Sequence, residues 1–268
     1  MKPKQRISAA IDAARAEGRT AVVAFLTAGY PERDRFAEQL TALTGAADVV
    51  EIGVPFSDPM ADGLTIQRAS QAAIEAGVNL GWILDQIETV SAAAPMVLMS
   101  YLNPLLAFGF ERLAERAAAV GVDGFIVPDL PLDESEPLAA ALDAQGLALI
   151  QLVTPVTTDQ RLAAACAAST GFVYAVTVTG ITGGSSRKDI GKDSGDYLGN
   201  DLGDYLQRVV AASTVPVCAG FGVREPEQVT RIGHYVPGVI VGSALVEAME
   251  RGQEPADFIR WLAADKAS

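Results

Sequence analysis

Eight short apolar runs punctuate this sequence, and a helical pattern follows each of them. The runs cover residues 22–26, 49–52, 96–101, 124–127, 147–153, 172–177, 215–219 and 239–241. The first, Val22-Val23-Ala24-Phe25-Leu26, has no polar residue at all. A strand that is apolar on both faces has to be covered on both, which a parallel sheet flanked by helices achieves. Between the runs, apolar residues recur at the three- and four-residue spacing of a helix face. Ile7, Ala10, Ile11 and Ala14 form one such face before the first strand, closed by Gly18. Further helical patterns lie over residues 31–43, over 65–93 with a break near Gly77-Val78-Asn79, and around Phe110, Leu113, Ala114 and Ala117. Asp133 and Glu136 form a capping box for the helix that follows, whose core face is Leu138, Ala141 and Leu142 and which Gly146 closes. Leu162, Ala165 and Cys166 face inward on the next. Leu202, Tyr205, Leu206, Val209 and Val210 restart the pattern, and residues 225–232, 245–249 and 258–262 complete it.

Strand and helix alternate with no change of composition that would mark a linker. The expected fold is α/β: a (β/α)8 TIM barrel with an extra N-terminal helix, residues 1–268 forming a single domain. The chain length of 268 residues suits one such barrel. A doubly wound open sheet is the competing topology, weakened by the lack of a GxGxxG turn after the first strand.

In a barrel of this kind the active site lies at the C-terminal ends of the strands, and phosphate often binds after strands seven and eight. Those loops are Ala219-Gly220-Phe221-Gly222 and Gly242-Ser243-Ala244. Glycine lets backbone N–H groups approach an anion closely, and Ser243 can open a helix whose positive end faces it. Gly183, after strand six, offers a third side. Each glycine taken alone also reads as a tight turn; two such loops at the expected strands point to phosphate. A formal net charge of -13 argues against a phosphate backbone or an anionic membrane as partner. It leaves room for a small anion held by backbone amides.

The stretch from Asp48 to Gln67 breaks the apolar rule. Glu51 sits in the middle of the second run, where an unpaired carboxylate costs several kcal/mol or keeps its proton. Alternation puts Val49, Glu51 and Gly53 on one face and Val50 and Ile52 on the other. If the first set faces the barrel interior near its mouth, desolvation raises the pKa of Glu51 toward neutrality, where it can give and take a proton. A structural Glu salt-bridged to a neighbouring strand is the alternative. Asp58 and Asp62 follow Pro55 and Pro59, which stiffen the loop. One of them can accept a hydrogen bond from a substrate N–H, though loop aspartates also serve as turn caps.

The stretch EIGVPFSDPMADGLTIQ, with Phe25-Leu26-Thr27-Ala28-Gly29-Tyr30-Pro31, resembles the signature regions of the tryptophan synthase α subunit family. So do Tyr101-Leu102-Asn103-Pro104, Val127-Pro128-Asp129-Leu130-Pro131, Gly180-Ile181-Thr182-Gly183, Gly220-Phe221-Gly222 and Gly242-Ser243-Ala244, in family order across nearly the whole chain. The resemblance implies a lyase that cleaves indole-3-glycerol phosphate to indole and glyceraldehyde 3-phosphate without metal or organic cofactor in this chain. It implies a β-subunit partner carrying pyridoxal phosphate, in an α2β2 assembly. It assigns Glu51 as the acid-base that protonates indole C3 and helps move the glycerol hydroxyl proton, and Asp62 as acceptor of the indole N–H bond. It places Phe25, Ile66, Met99, Tyr101 and Phe221 around the indole, Tyr174 beside the glycerol moiety and Thr182 in a closing loop. Gly183, Gly222, Gly242 and Ser243 match its phosphate cradle.

The sequence departs from the family in three places. Val178 stands where many members carry Arg, Leu64 replaces a common Pro, and residues 184–203 form a longer, glycine-broken segment that reads as a neutral insertion. The altered loop motivates a second reading, a chiefly allosteric binding subunit; a third is a stand-alone lyase that releases indole freely. His234, in the turn before the eighth strand, lies at the opposite end and receives no chemistry. Cys166 and Cys218 read as buried free thiols, which suits a reducing compartment. The start of the chain lacks a continuous apolar core and no stretch is long enough to span a membrane, so the expectation is a soluble cytoplasmic protein.

Overall fold

The computed structural model describes residues 1–177, 200–220 and 222–264. Eight strands run parallel in chain order: β1 (Ala21–Thr27), β2 (Val49–Gly53), β3 (Met96–Met99), β4 (Gly124–Ile126), β5 (Ala148–Val153), β6 (Val173–Val176), β7 (Val217–Gly220) and β8 (Gly238–Val241). Each pairs with the next, and β8 pairs with β1, so the sheet closes as a barrel. This closure excludes the open doubly wound sheet. The helices are α1 (Pro3–Ala16), α2 (Phe36–Thr44), α3 (Leu64–Glu75), α4 (Leu80–Ile87), α5 (Leu102–Phe108) and α6 (Phe110–Ala119), then α7 (Glu136–Ala144), α8 (Asp159–Ala168), α9 (Asn200–Ala212), α10 (Pro226–Gly233), α11 (Ser243–Glu250) and α12 (Pro255–Ala263).

Strand alternation sorts the core into two layers. Val23, Val49, Val97, Ile126, Ile150 and Cys218 pack together inside the barrel. Val22, Ala24, Val50, Ile52 and Leu98 point outward into the layer shared with the helices. The extra helix α1 belongs to the inner layer: Ile7, Ile11 and Ala14 are fully buried against the barrel interior. Its polar face is tied to loops that enter the strands from below. Ser8 Oγ donates to the Gly171 carbonyl at 2.6 Å, and the Arg6 guanidinium donates to Asp123 at 2.9 Å. Asp123 also accepts from the Met96 N–H, at 3.0 Å, so one buried carboxylate joins α1 to the starts of β3 and β4. Helix α1 is the floor of the barrel.

Several local expectations are corrected. The second helix begins at Phe36, after a 3-10 turn over Arg33–Arg35, rather than at residue 31. The pattern over 65–93 splits where expected, with the Asn79 side chain accepting from Trp82 N–H to start α4. It stops at Ile87 and not near 93. The Asp133–Glu136 capping box does not form: residues 132–134 make a 3-10 turn and Ser135 becomes the N-cap of α7. Of the residues that restart the helical pattern, α9 buries Leu202, Tyr205, Leu206 and Val209 and leaves Val210 40% exposed. Helix α5 was not expected at all. His234 is exposed at the C-cap of α10, and both cysteines are free and buried.

Candidate active site

At the C-terminal mouth of the barrel lies a cavity of about 260 Å³, lined by residues from nearly every strand end. Phe25, Glu51, Met99, Leu152, Tyr174 and Ile240 form its walls and base, and Ala61, Asp62 and Ile66 close one side. Gly220, Gly222, Gly242 and Ser243 supply the rim at the ends of β7 and β8. The structure therefore brings together most of the residues singled out in the sequence. Tyr101 is the exception among the described ones: it does not line the cavity but holds a residue that does. Thr182, Gly183 and Phe221, like Val178 and most of the 184–203 segment, lie outside the described residues.

Glu51 is 1% exposed, and its Oε2 has no hydrogen-bond partner among the described residues. No ion pair to it exists among them either, which removes the structural salt-bridge alternative. Burial, with a smaller push from the Asp62 charge, raises its pKa to about 8. At neutral pH the side chain is a carboxylic acid with a proton to give.

Asp62 sits on the loop between β2 and α3 and is only partly exposed. Burial raises its pKa to about 6, and a hydrogen bond from Tyr101 works against that rise. The Tyr101 hydroxyl donates to Asp62 Oδ2 at 3.1 Å and accepts the Ala61 N–H at 2.9 Å. The Tyr101 ring stacks on Phe56, centroids 4.9 Å apart, at the start of the same loop. Gln67 donates to the Asp62 carbonyl at 2.9 Å from the first turns of α3. The loop is thus held at both ends and beneath the carboxylate. Two carboxyl groups facing one cavity have been separated by environment: the deeper keeps its proton while the shallower is ionised near neutral pH. Asp58, by contrast, is exposed and bonded to its neighbour Ser57.

The rim formed by the β7 and β8 loops has features that favour an anion. Gly242 is the N-cap of α11 and Ser243 its first residue, so the free N–H groups and positive end of that helix face the cavity. Gly222 has φ 52°, the left-handed conformation that glycine adopts without strain. Leu64, the departure from a common proline, is the first residue of α3 and 57% exposed. That is the first helical position, where proline is favoured but not required. Among the described residues no three His, Cys, Asp or Glu side chains gather as a metal site would require.

Gly220 is needed for a steric reason. A Cβ there would lie 2.5 Å from Tyr174 Cε1 and 2.7 Å from its hydroxyl. Gly220→Ala is expected to push the Tyr174 ring into the cavity and lower kcat/KM by roughly ten- to a hundredfold, the scale of an ångström-level misplacement. Steady-state kinetics beside a melting curve would show the loss in a chain that remains folded.

Leu152, Ile240 and Pro128 escaped the sequence reading although they line the cavity. Counting alternation outward from Ile150 would have found Leu152.

The fold and its mouth define a closed (β/α)8 barrel whose upper cavity sets two acids, one of them buried, beside a glycine-lined rim. Comparisons with known proteins narrow this further. A family model described as tryptophan synthase alpha chain matches residues 11–265. The tryptophan synthase alpha chain of Nitratidesulfovibrio vulgaris is 43% identical over 258 residues, covering 95% of this chain and 96% of the relative. That of Roseiflexus castenholzii is 42% identical over 258 residues, covering 92% and 95%. Among solved structures, a ligand-free tryptophan synthase from M. tuberculosis superposes with a TM-score of 0.85 at 38% identity, over 97% of this chain and 98% of that one. The alpha chain from Legionella pneumophila gives 0.82 at 28% identity, over 98% and 95%. This chain belongs to the tryptophan synthase alpha chain family. It is a lyase of tryptophan biosynthesis that cleaves indole-3-glycerol phosphate to indole and glyceraldehyde 3-phosphate.

Proposed function

We propose that the cleavage runs on Glu51 and Asp62, with the substrate phosphate anchored on Gly222, Gly242 and Ser243. The observation that carries this reading is the pairing, across one cavity, of a protonated buried Glu51 with a partly exposed Asp62 that ionises near pH 6. Glu51 donates its proton to indole C3, and the ring nitrogen takes up positive charge. The Asp62 carboxylate accepts the N–H hydrogen bond and offsets that charge as it grows, which is where stabilisation accelerates the reaction. The glycerol hydroxyl next to the ring then gives up its proton, the C–O bond becomes C=O, and the C–C bond electrons return to the indole. Glu51, left as a carboxylate by the first step, is the acceptor for that proton, so the acid is regenerated within one turnover. Phe25, Ile66 and Met99 provide the apolar walls against which the indole is positioned, with Phe221 as a further wall, Thr182 as the closing-loop residue and Gly183 as the third side of the phosphate cradle.

The chain carries no cofactor of its own in this reading and works as one domain with a β subunit that holds pyridoxal phosphate, in an α2β2 heterotetramer in the cytoplasm. What supports a partner on this face is its surface. Met60, Leu106 and Val156 are 75%, 52% and 78% exposed, on segments that follow β2, β3 and β5 around the mouth. Exposed apolar side chains on several loops of one face are what a partner would cover. Incubation of the pure chain with indole-3-glycerol phosphate is expected to release indole and the aldehyde phosphate in equal amounts, faster when the β subunit is added. Absence of indole in both conditions would overturn the reading.

A further inference from the structure

Helix α11 does more than begin at the anion rim. One turn in from Ser243, Glu247 grips the Arg224 guanidinium with both oxygens: Nη1 donates to Oε2 at 2.7 Å and Nη2 to Oε1 at 3.0 Å. Arg224 lies two residues beyond Gly222, in the loop after β7. The same Glu247 Oε1 accepts from Thr65 Oγ1 at 3.2 Å. Thr65 is in the first turn of α3, three residues beyond Asp62 and next to Ile66 of the cavity wall. Between these polar contacts, Val246 packs with Ile66, Ala69 and Phe25 in a small buried cluster. A turn further on, Glu250 accepts from Arg68 of α3 at 2.6 Å and from the Tyr30 hydroxyl at 2.6 Å.

The geometry points to Glu247 as a positioning residue: through Arg224 and Thr65 it holds the Gly222 loop, the start of α11 and the Asp62-bearing start of α3 in one fixed arrangement. A fork-shaped guanidinium–carboxylate pair fixes direction as well as distance, which a single point contact does not. Charge–charge attraction at a partly exposed site is modest, so its use here is geometric. Arg224 itself is not a wall of the cavity and its charge is committed to Glu247, so it is not the ligand of the phosphate. Glu247 and Arg224 touch neither the reacting atoms nor the anion. Their effect is exerted through backbone they hold.

This inference rests on the phosphate reading above. The test measures KM for indole-3-glycerol phosphate and competitive inhibition by inorganic phosphate for Glu247→Ala, Arg224→Ala and the double variant, in the complex with the β subunit. Each single variant is expected to raise both KM and the phosphate inhibition constant by roughly three- to tenfold. The double variant is expected to be no worse than either single one, since both remove the same link. Glu247→Gln, which keeps the shape and the Thr65 contact, should recover part of the loss. A lowered melting temperature with unchanged KM and inhibition constant would overturn the proposal and leave the pair as a plain structural contact. Tighter phosphate binding in Glu247→Ala with weaker binding in Arg224→Ala would also overturn it, by showing Arg224 to be a direct phosphate ligand. Failure of the unmodified chain to release indole would instead strike the proposed function.

Discussion

Glu51→Gln is expected to lower indole release from indole-3-glycerol phosphate by about 10²- to 10⁴-fold, the usual worth of a positioned general acid–base. Gln keeps the volume and the polarity but has no proton to give to indole C3. The substrate should still bind, because the anion rim and the apolar walls are untouched, so the loss is expected in kcat rather than in KM. The unmodified chain should lose activity as the pH rises past about 8, when Glu51 gives up its proton in the free enzyme. A second measurement tests the same assignment without substrate. The pKa of Glu51 is higher in the folded chain than the ordinary 4.5, so the folded state binds more protons and stability is greatest at low pH. That contribution declines as the pH passes from about 4.5 to about 8, and thermal melts should show it. In Glu51→Gln the part of the decline that reaches to about pH 8 should be absent, leaving the part below about pH 6 that comes from Asp62 and Asp123. A variant with full activity, or one whose melting temperature falls over that range as steeply as the parent's, would rule out the assignment.

The second large effect is expected at Asp62. Asp62→Asn should lower kcat/KM by about 10²- to 10³-fold, comparable to removing one preorganised group that stabilises developing charge. The amide keeps an oxygen that can accept the indole N–H bond, so the loss isolates the charge from the hydrogen bond. The acidic limb of the pH profile carries the discriminating information. In the unmodified chain activity should fall below about pH 6 as Asp62 becomes protonated, and in the variant that limb should flatten. Because Glu51 and Asp62 face one cavity, the two limbs report the pair, and removing one charge should also move the other limb. With the Asp62 charge gone, the alkaline limb is expected to shift to lower pH, since that charge is one cause of the raised Glu51 pKa. An unchanged profile would contradict the assignment.

The barrel was legible in the sequence because each strand carries its own evidence. Two-sided burial leaves an apolar run that no surface strand would show, and the helices between the runs keep their spacing. The site was legible at Glu51 for the complementary reason, an acid where that rule forbids one. What could not be read are interactions between residues far apart in the chain. Tyr101 donates to Asp62 across 39 positions, so a residue taken for a pocket wall turns out to support the carboxylate. Helix α5 was hidden by Asn103-Pro104, which reads as a turn. Pro is tolerated in a first helical turn, and the cap that starts this helix comes from Asp129 of another strand's loop, which accepts the Leu102 N–H. The bidentate grip of Glu247 on Arg224 depends on where two loops meet, and spacing along the sequence holds no record of it.

The helix beneath the barrel sets a rule for traffic. Ile7, Ile11 and Ala14 stop the lower end with hydrocarbon, so a molecule cannot pass through the barrel from one side to the other. Among the described residues the route left to reactant and products is on the upper side, at the mouth. The fragment still gripped by its phosphate should leave more slowly than the uncharged ring.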